Sequence, residues 1–178
     1  MTTIKFLILF VCLGTISFSQ NVTIGTQVWM TKNLDVSKFR NGDPIPEAKT
    51  NEEWENAGKN KQPAWCYYNN DPKNGEKYGK LYNWYAVIDP RGLAPNGYHI
   101  PSREEWQTLI KSSGKDGYDA ANKLKSKTGW FGETGYSGKP IKNGIDTYGF
   151  SAMPAGTRKS DGKFYDINSR TFFLDLLP

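Results

Sequence analysis

Histidine is almost missing from this chain. His99 is the only one among 178 residues, and cysteine occurs twice, at Cys12 and Cys66. A metal site built on imidazoles therefore lacks a second histidine, and any serine or cysteine triad would have to run through His99. Pro95, Gly97 and Pro101 make the approach to His99 rigid, a setting in which an imidazole orients a turn by hydrogen-bonding the backbone. The carboxylate pairs Glu52 with Glu53 and Glu104 with Glu105 are sequence neighbours on expected helices. Adjacent helical residues do not face one another, so no glycosidase pair is visible. Gly132, Gly135 and Gly138 lack the lysine and the strand-helix context of a phosphate loop.

Charge excludes another class. Twenty-three Lys and Arg against 18 Asp and Glu leave a formal charge of +5. The lysines from Lys111 to Lys142 are spread among glycines and polar residues, which describes a solvated face rather than a nucleic-acid surface. No nucleic-acid partner is expected.

The first residues differ in kind from the rest. Lys5 precedes an apolar run at 6–14, and small residues follow at Ser17 and Ser19. This predicts a secretory signal peptide over residues 1–19. The run is roughly nine residues long against the ~20 of a spanning helix, so no transmembrane anchor is expected after cleavage. Cys12 follows Leu9, Phe10 and Val11, the wrong context for a lipidated cysteine. The expectation is a bacterial protein that is secreted, periplasmic or displayed on the cell surface. Its mature chain keeps only Cys66, so it has no intramolecular disulfide and must be stable through packing.

What the chain does have is aromatics and turns: 14% of residues are Phe, Trp or Tyr, with 18 glycines and 10 prolines. That composition favours a loop-rich fold over a bundle. Residues 22–30 alternate around Gly25 as a hairpin. A short helix is expected at 51–57 with Asn51 as cap, a strand at 63–68 placing Cys66 in the core, and a polar loop at 69–75. Residues 81–88 read as a buried strand or a short helix, since periodicity does not decide so short a run. Ser102-Arg-Glu-Glu105 is a capping box that starts a helix at 103–112, with Trp106, Leu109 and Ile110 on its inner face. A second helix is expected at 119–126, packing through Ala120, Ala121 and Leu124. Residues 129–144 form a long glycine-rich loop, and 148–156 a strand leading to a turn. Residues 20–178 show no internal repeat and no linker, so one domain is expected.

The glycine-rich loop carries Trp130, Phe131 and Tyr136. Such rings offer broad amphipathic surface for sugar faces or peptide side chains, so these three are the candidate ligand-binding residues. The competing reading places them in the core.

Several phrases occur in a characteristic order. They are Ile24-Gly-Thr-Gln-Val-Trp-Met30 with Asn33-Leu34, Trp65-Cys-Tyr-Tyr-Asn-Asn-Asp71, and Tyr78-Gly-Lys-Leu-Tyr-Asn-Trp-Tyr85. Then come Gly97-Tyr-His-Ile-Pro101 with Glu105-Trp106, Lys123-Leu-Lys-Ser126, and Tyr148-Gly-Phe-Ser-Ala-Met-Pro-Ala-Gly156. Together they resemble the Fibrobacter succinogenes major paralogous domain across almost all of the mature chain. The resemblance implies exported bacterial proteins of undefined activity. It also implies an α+β fold of the C-type-lectin-like and formylglycine-generating-enzyme group, with short antiparallel strands, two or three short helices and long loops.

Two departures matter. Relatives carry a cysteine before the Gly-Tyr-His-Ile stretch, where this chain has Leu93, Ala94 and Pro95. Relatives also continue past two phenylalanines with a tryptophan and a Ser/Thr pair, whereas this chain reads Leu174-Asp-Leu-Leu-Pro178. If Phe172 to Leu177 is written TTT TTT CTG GAC CTC CTC, deleting one thymine gives Phe-Phe-Trp-Thr-Ser-Ser. The expectation is a frameshifted member, incomplete at its C-terminus. A noncatalytic binding module is the functional expectation, with glycan or another cell-surface polymer as partner, no cofactor and no metal. A cell-envelope structural component is the alternative. An oxidase of the formylglycine-generating type needs paired cysteines for copper, which Cys66 alone does not supply.

Overall fold

The computed structural model describes residues 21–132 and 140–173. The fold is α+β, built from three separate antiparallel strand pairs and five helices among these residues. The chain opens with the expected hairpin, β1 (Asn21–Ile24) paired to β2 (Gln27–Met30) with Val22 opposite Trp29. Its turn is closed by Gly25 at φ +60, where an added Cβ would lie 2.6 Å from Ser112 Oγ. Glycine is thus required there by both conformation and contact.

The helix α1 (Asn51–Lys59) is capped by Thr50 rather than Asn51: Thr50 and Glu53 form a capping box. A threonine hydroxyl one residue earlier satisfies the same free amide, which composition alone does not distinguish. The strand β3 (Trp65–Cys66) then pairs with β4 (Leu81–Tyr82). Between them lie one 3-10 turn at Tyr68–Asn70 and α2 (Pro72–Tyr78), within the stretch expected to be a polar loop. The helix has its own start signal, an Asp71 side chain accepting from Lys73 N with Pro72 in the first turn. Gly75 lets α2 close onto the Tyr67 ring, since a Cβ there would meet Tyr67 Cε1 at 2.2 Å.

The ambiguous 81–88 stretch turns out to be both elements. Asn83 divides it: β4 precedes, and α3 (Trp84–Val87) follows with the Asn83 side chain capping Ala86 N. Next come α4 (Arg103–Ser113), with the predicted Ser102–Glu105 capping box, and α5 (Gly117–Leu124), capped by Asp116. The final pair is β5 (Ala155–Arg158) with β6 (Phe164–Ile167). The expected 148–156 strand makes only an isolated parallel bridge, Ala152 to Lys125, before β5 begins.

Burial corrects two helix faces. Leu109 of α4 is fully buried, but Ile110 is 41% exposed. On α5, Ala120 and Leu124 are buried while Ala121 faces out. The core falls into three clusters. One joins Ile24, Trp29, Leu109, Leu124, Phe150 and Ala152; a second gathers Phe39, Ile45, Trp65, Val87 and Leu93; a third holds Ala48, Trp54, Ala64 and Cys66. Among the described residues no helix is long and apolar enough to cross a membrane.

Cys66 is buried as expected, and desolvation pushes its thiol up to about 11. A thiol with so little thiolate is a poor nucleophile. In a Cys12→Ser background, Cys66 is expected to react with a disulfide reagent at pH about 8 only on unfolding. Rapid labelling of the native protein would contradict this.

Candidate functional site

An aromatic-walled concavity lies where β2, the segment 94–101, the start of α4, Phe150 and Phe173 meet, with a volume of about 680 Å³. Each wall has a local cause. Trp29 occupies β2 on the face that turns inward opposite Val22. Trp106 sits in the first turns of α4, whose start and direction are set by the Ser102 cap. The two indoles lie 4.8 Å apart at 39°, and Phe150 meets Trp29 edge-on at 5.9 Å. Phe173 completes the wall, 4.7 Å from Trp106 and 6.1 Å from Phe150. Pairs at these separations are favourable aromatic contacts.

The segment 94–101 is held by an arginine. Arg40 donates from Nε and Nη2 to Ala94 O at 3.2 and 3.1 Å, and from Nη2 to Tyr98 O at 2.9 Å. Tyr98 Oη donates to Asn21 Oδ1 at 2.7 Å, tying the segment to β1. These bonds fix Pro95, Tyr98 and His99 as one edge of the cleft.

His99 and Glu105 form the polar rim. Nε2 of His99 lies 2.8 and 2.9 Å from the two Glu105 carboxylate oxygens. Glu105 also accepts from Ser102 N at 2.8 Å. The Ser102 backbone amide, with His99 second, holds the Glu105 carboxyl below its ordinary 4.5. A lowered folded value means that the ionised form stabilises the fold. That contribution is complete above pH about 4.5 and lost as pH falls through the lowered folded value. Thermal midpoints taken between about pH 3 and 6 should fall on acidification, with a shallower fall for Glu105→Gln. An unchanged acid profile in the variant would remove this assignment.

Chemically the cleft offers flat apolar surfaces, a hydrogen-bonded His99–Glu105 pair and backbone dipoles. His99 has no hydrogen bond to a serine, threonine or cysteine among the described residues, and its imidazole is engaged by Glu105. No cluster of three or more His, Cys, Asp or Glu residues able to hold a metal occurs among the described residues. Two side chains of the cleft keep their hydrogen-bonding capacity unused: the indole N–H groups of Trp29 and Trp106 are buried without a partner. Gln27 Oε1 is likewise unpaired, while Gln27 Nε2 donates to Glu105 O at 3.1 Å.

Of the three loop aromatics expected to bind ligand, Trp130 and Phe131 do not line this cleft. Trp130 is 8% exposed, its Nε1 donating to Ser126 Oγ and Ala152 O at 3.0 Å each, with Lys125 Nζ 4.4 Å from its ring centre. It packs as core. Phe131 points outward at 63% exposure, and Tyr136 lies outside the described residues. The cleft aromatics were visible in the sequence only as core candidates, because their convergence depends on contacts between residues as distant as Trp29 and Phe150.

The sequence profile of the Fibrobacter succinogenes major domain matches residues 22–173. No curated protein and no solved structure matches the chain.

Proposed function

The chain belongs to the Fibrobacter succinogenes major domain family, and on that premise we propose that it is an exported, noncatalytic module that binds carbohydrate in the aromatic cleft. The observation that carries this reading is the cleft itself, with Trp29, Trp106, Phe150 and Phe173 around about 680 Å³ and His99 and Glu105 at the rim. Indole and phenyl faces match the apolar C–H faces of sugar rings, and a polar rim orients hydroxyl groups. Export rests on the N-terminal charge, apolar run and small residues, which lie outside the described residues. A C-type-lectin-like arrangement is the finer form of the fold that we propose, supported by short hairpins flanked by helices. Catalysis of the formylglycine-generating type finds no support in a single cysteine buried away from the cleft.

The test is a glycan array followed by calorimetry on the full chain, with His99→Ala and Phe173→Ala as variants at exposed positions. Binding weakened roughly tenfold in each variant, with both variants still folded by circular dichroism, is the expected result. No binding to any glycan at millimolar concentration would overturn the proposal.

A further inference from the structure

We infer that the cleft takes an N-acetylated sugar, through the acetamido group; this rests on the carbohydrate reading above. Four buried side-chain polar atoms lack a partner among the described residues, and three of them belong to residues lining this one cavity: Gln27 Oε1, Trp29 Nε1 and Trp106 Nε1. An unpaired buried donor or acceptor costs about 1–3 kcal/mol, so such groups are usually satisfied by something. The fourth is Ser113 Oγ on α4, away from the cavity, but two other buried indoles are satisfied. Trp65 Nε1 donates to Ile45 O at 2.8 Å, and Trp130 Nε1 has two acceptors at 3.0 Å.

The three unused atoms belong together. Gln27 and Trp29 are two residues apart on β2 and so share a face. The bond from Gln27 Nε2 to Glu105 O sets the amide head beside the residue that precedes Trp106. The rings of Trp29 and Trp106 are 4.8 Å apart. What is missing is therefore a group that accepts from indole N–H donors, donates once to an amide oxygen, and is otherwise apolar enough for aromatic walls. A hydroxyl accepts and donates but brings no apolar body. An acetamido group brings a carbonyl oxygen with two lone pairs, one N–H and a methyl group. Bulk water does not reach the three atoms, since each is closed off in the cleft. The inference requires that Phe173, the wall ring that is 42% exposed, turn aside to admit the ligand.

The experiment compares oligomers of N-acetylglucosamine, glucosamine and glucose by calorimetry on the full chain. Indole N–H resonances are followed by NMR in parallel. The N-acetylated oligomer is expected to bind about tenfold or more tighter than the other two, with shifts of the Trp29 and Trp106 N–H signals. Trp106→Phe keeps the ring and removes the donor, so it should lose most of the acetyl preference while retaining weak sugar binding. Equal affinity for all three oligomers, or binding that leaves both indole signals unmoved, overturns the acetamido assignment and leaves the carbohydrate reading standing. Failure of every glycan to bind removes both.

Discussion

Replacing Arg158 with leucine is expected to lower the unfolding free energy by roughly 3 kcal/mol or more. Arg158 lies on β5 and is 6% exposed. Its Nε donates to Gly162 O, Nη1 to Ala48 O and Nη2 to Thr50 O, each at 2.8 Å. Weaker bonds reach Asn70 Oδ1 and Asn51 Oδ1, both at 3.3 Å. The guanidinium also lies 4.9 Å from the Trp54 ring and 4.6 Å from Phe164.

All five hydrogen-bond partners are neutral oxygens, so carbonyl and amide dipoles together with two aromatic faces hold the charge. The planar fork joins the β5–β6 turn to the entrance of α1 and to the 3-10 turn, segments far apart in sequence. Leucine would take the Arg158 donor from Gly162 O, Ala48 O and Thr50 O, of which Thr50 O keeps Trp54 N, and break that junction. Lysine keeps the charge but presents a point rather than a fork, so Arg158→Lys should recover only part of the loss. Urea unfolding reads this as a lower midpoint at unchanged slope. A loss under about 1 kcal/mol for leucine would show that the network is not stabilising as described.

Leu109→Ala should cost about 2–5 kcal/mol, the range for deleting a fully buried leucine where the surroundings relax incompletely. Leu109 is 0% exposed in the cluster with Ile24, Trp29 and Phe150. It lies three residues beyond Trp106 on the same helix, so it presses α4 onto the hairpin that carries Trp29. The cavity left by alanine would therefore loosen the indole pair as well as destabilise the fold. Two readouts separate the effects: the urea midpoint for stability, and near-ultraviolet circular dichroism for the Trp29–Trp106 arrangement. A stable variant with an unaltered aromatic signal would refute the coupling.

The elements that were read correctly from sequence have local causes. The Ser102–Glu105 box specifies the start of α4 because both partners lie within one turn, and Gly25 specifies the first hairpin because its positive φ is required at the turn itself. The missed helix α2 looked like a loop because Lys73, Asn74 and Gly75 are polar or flexible. It forms because Asp71 and Pro72 start it and the Tyr67 ring accepts its glycine. The final strand β6 escaped notice because its partner β5 and the Arg158 network, rather than its own short sequence, stabilise it.

Sequence by itself determined the family, through the order of its short motifs, and the caps and turns, through bonds closed within a few residues. It also determined that a metal site in these 178 residues would have at most one imidazole, that of His99. Only the tertiary structure decided which aromatics line a cleft and which fill the core. Trp29, Trp106 and Trp130 are the same residue type in similarly apolar settings. What separates them is whether oxygens reach their N–H groups: Ser126 and Ala152 satisfy Trp130, whereas the N–H groups of Trp29 and Trp106 have no partner. Such long-range placement has no local signature, because it is set by how the hairpin, α4 and the end of the chain pack together.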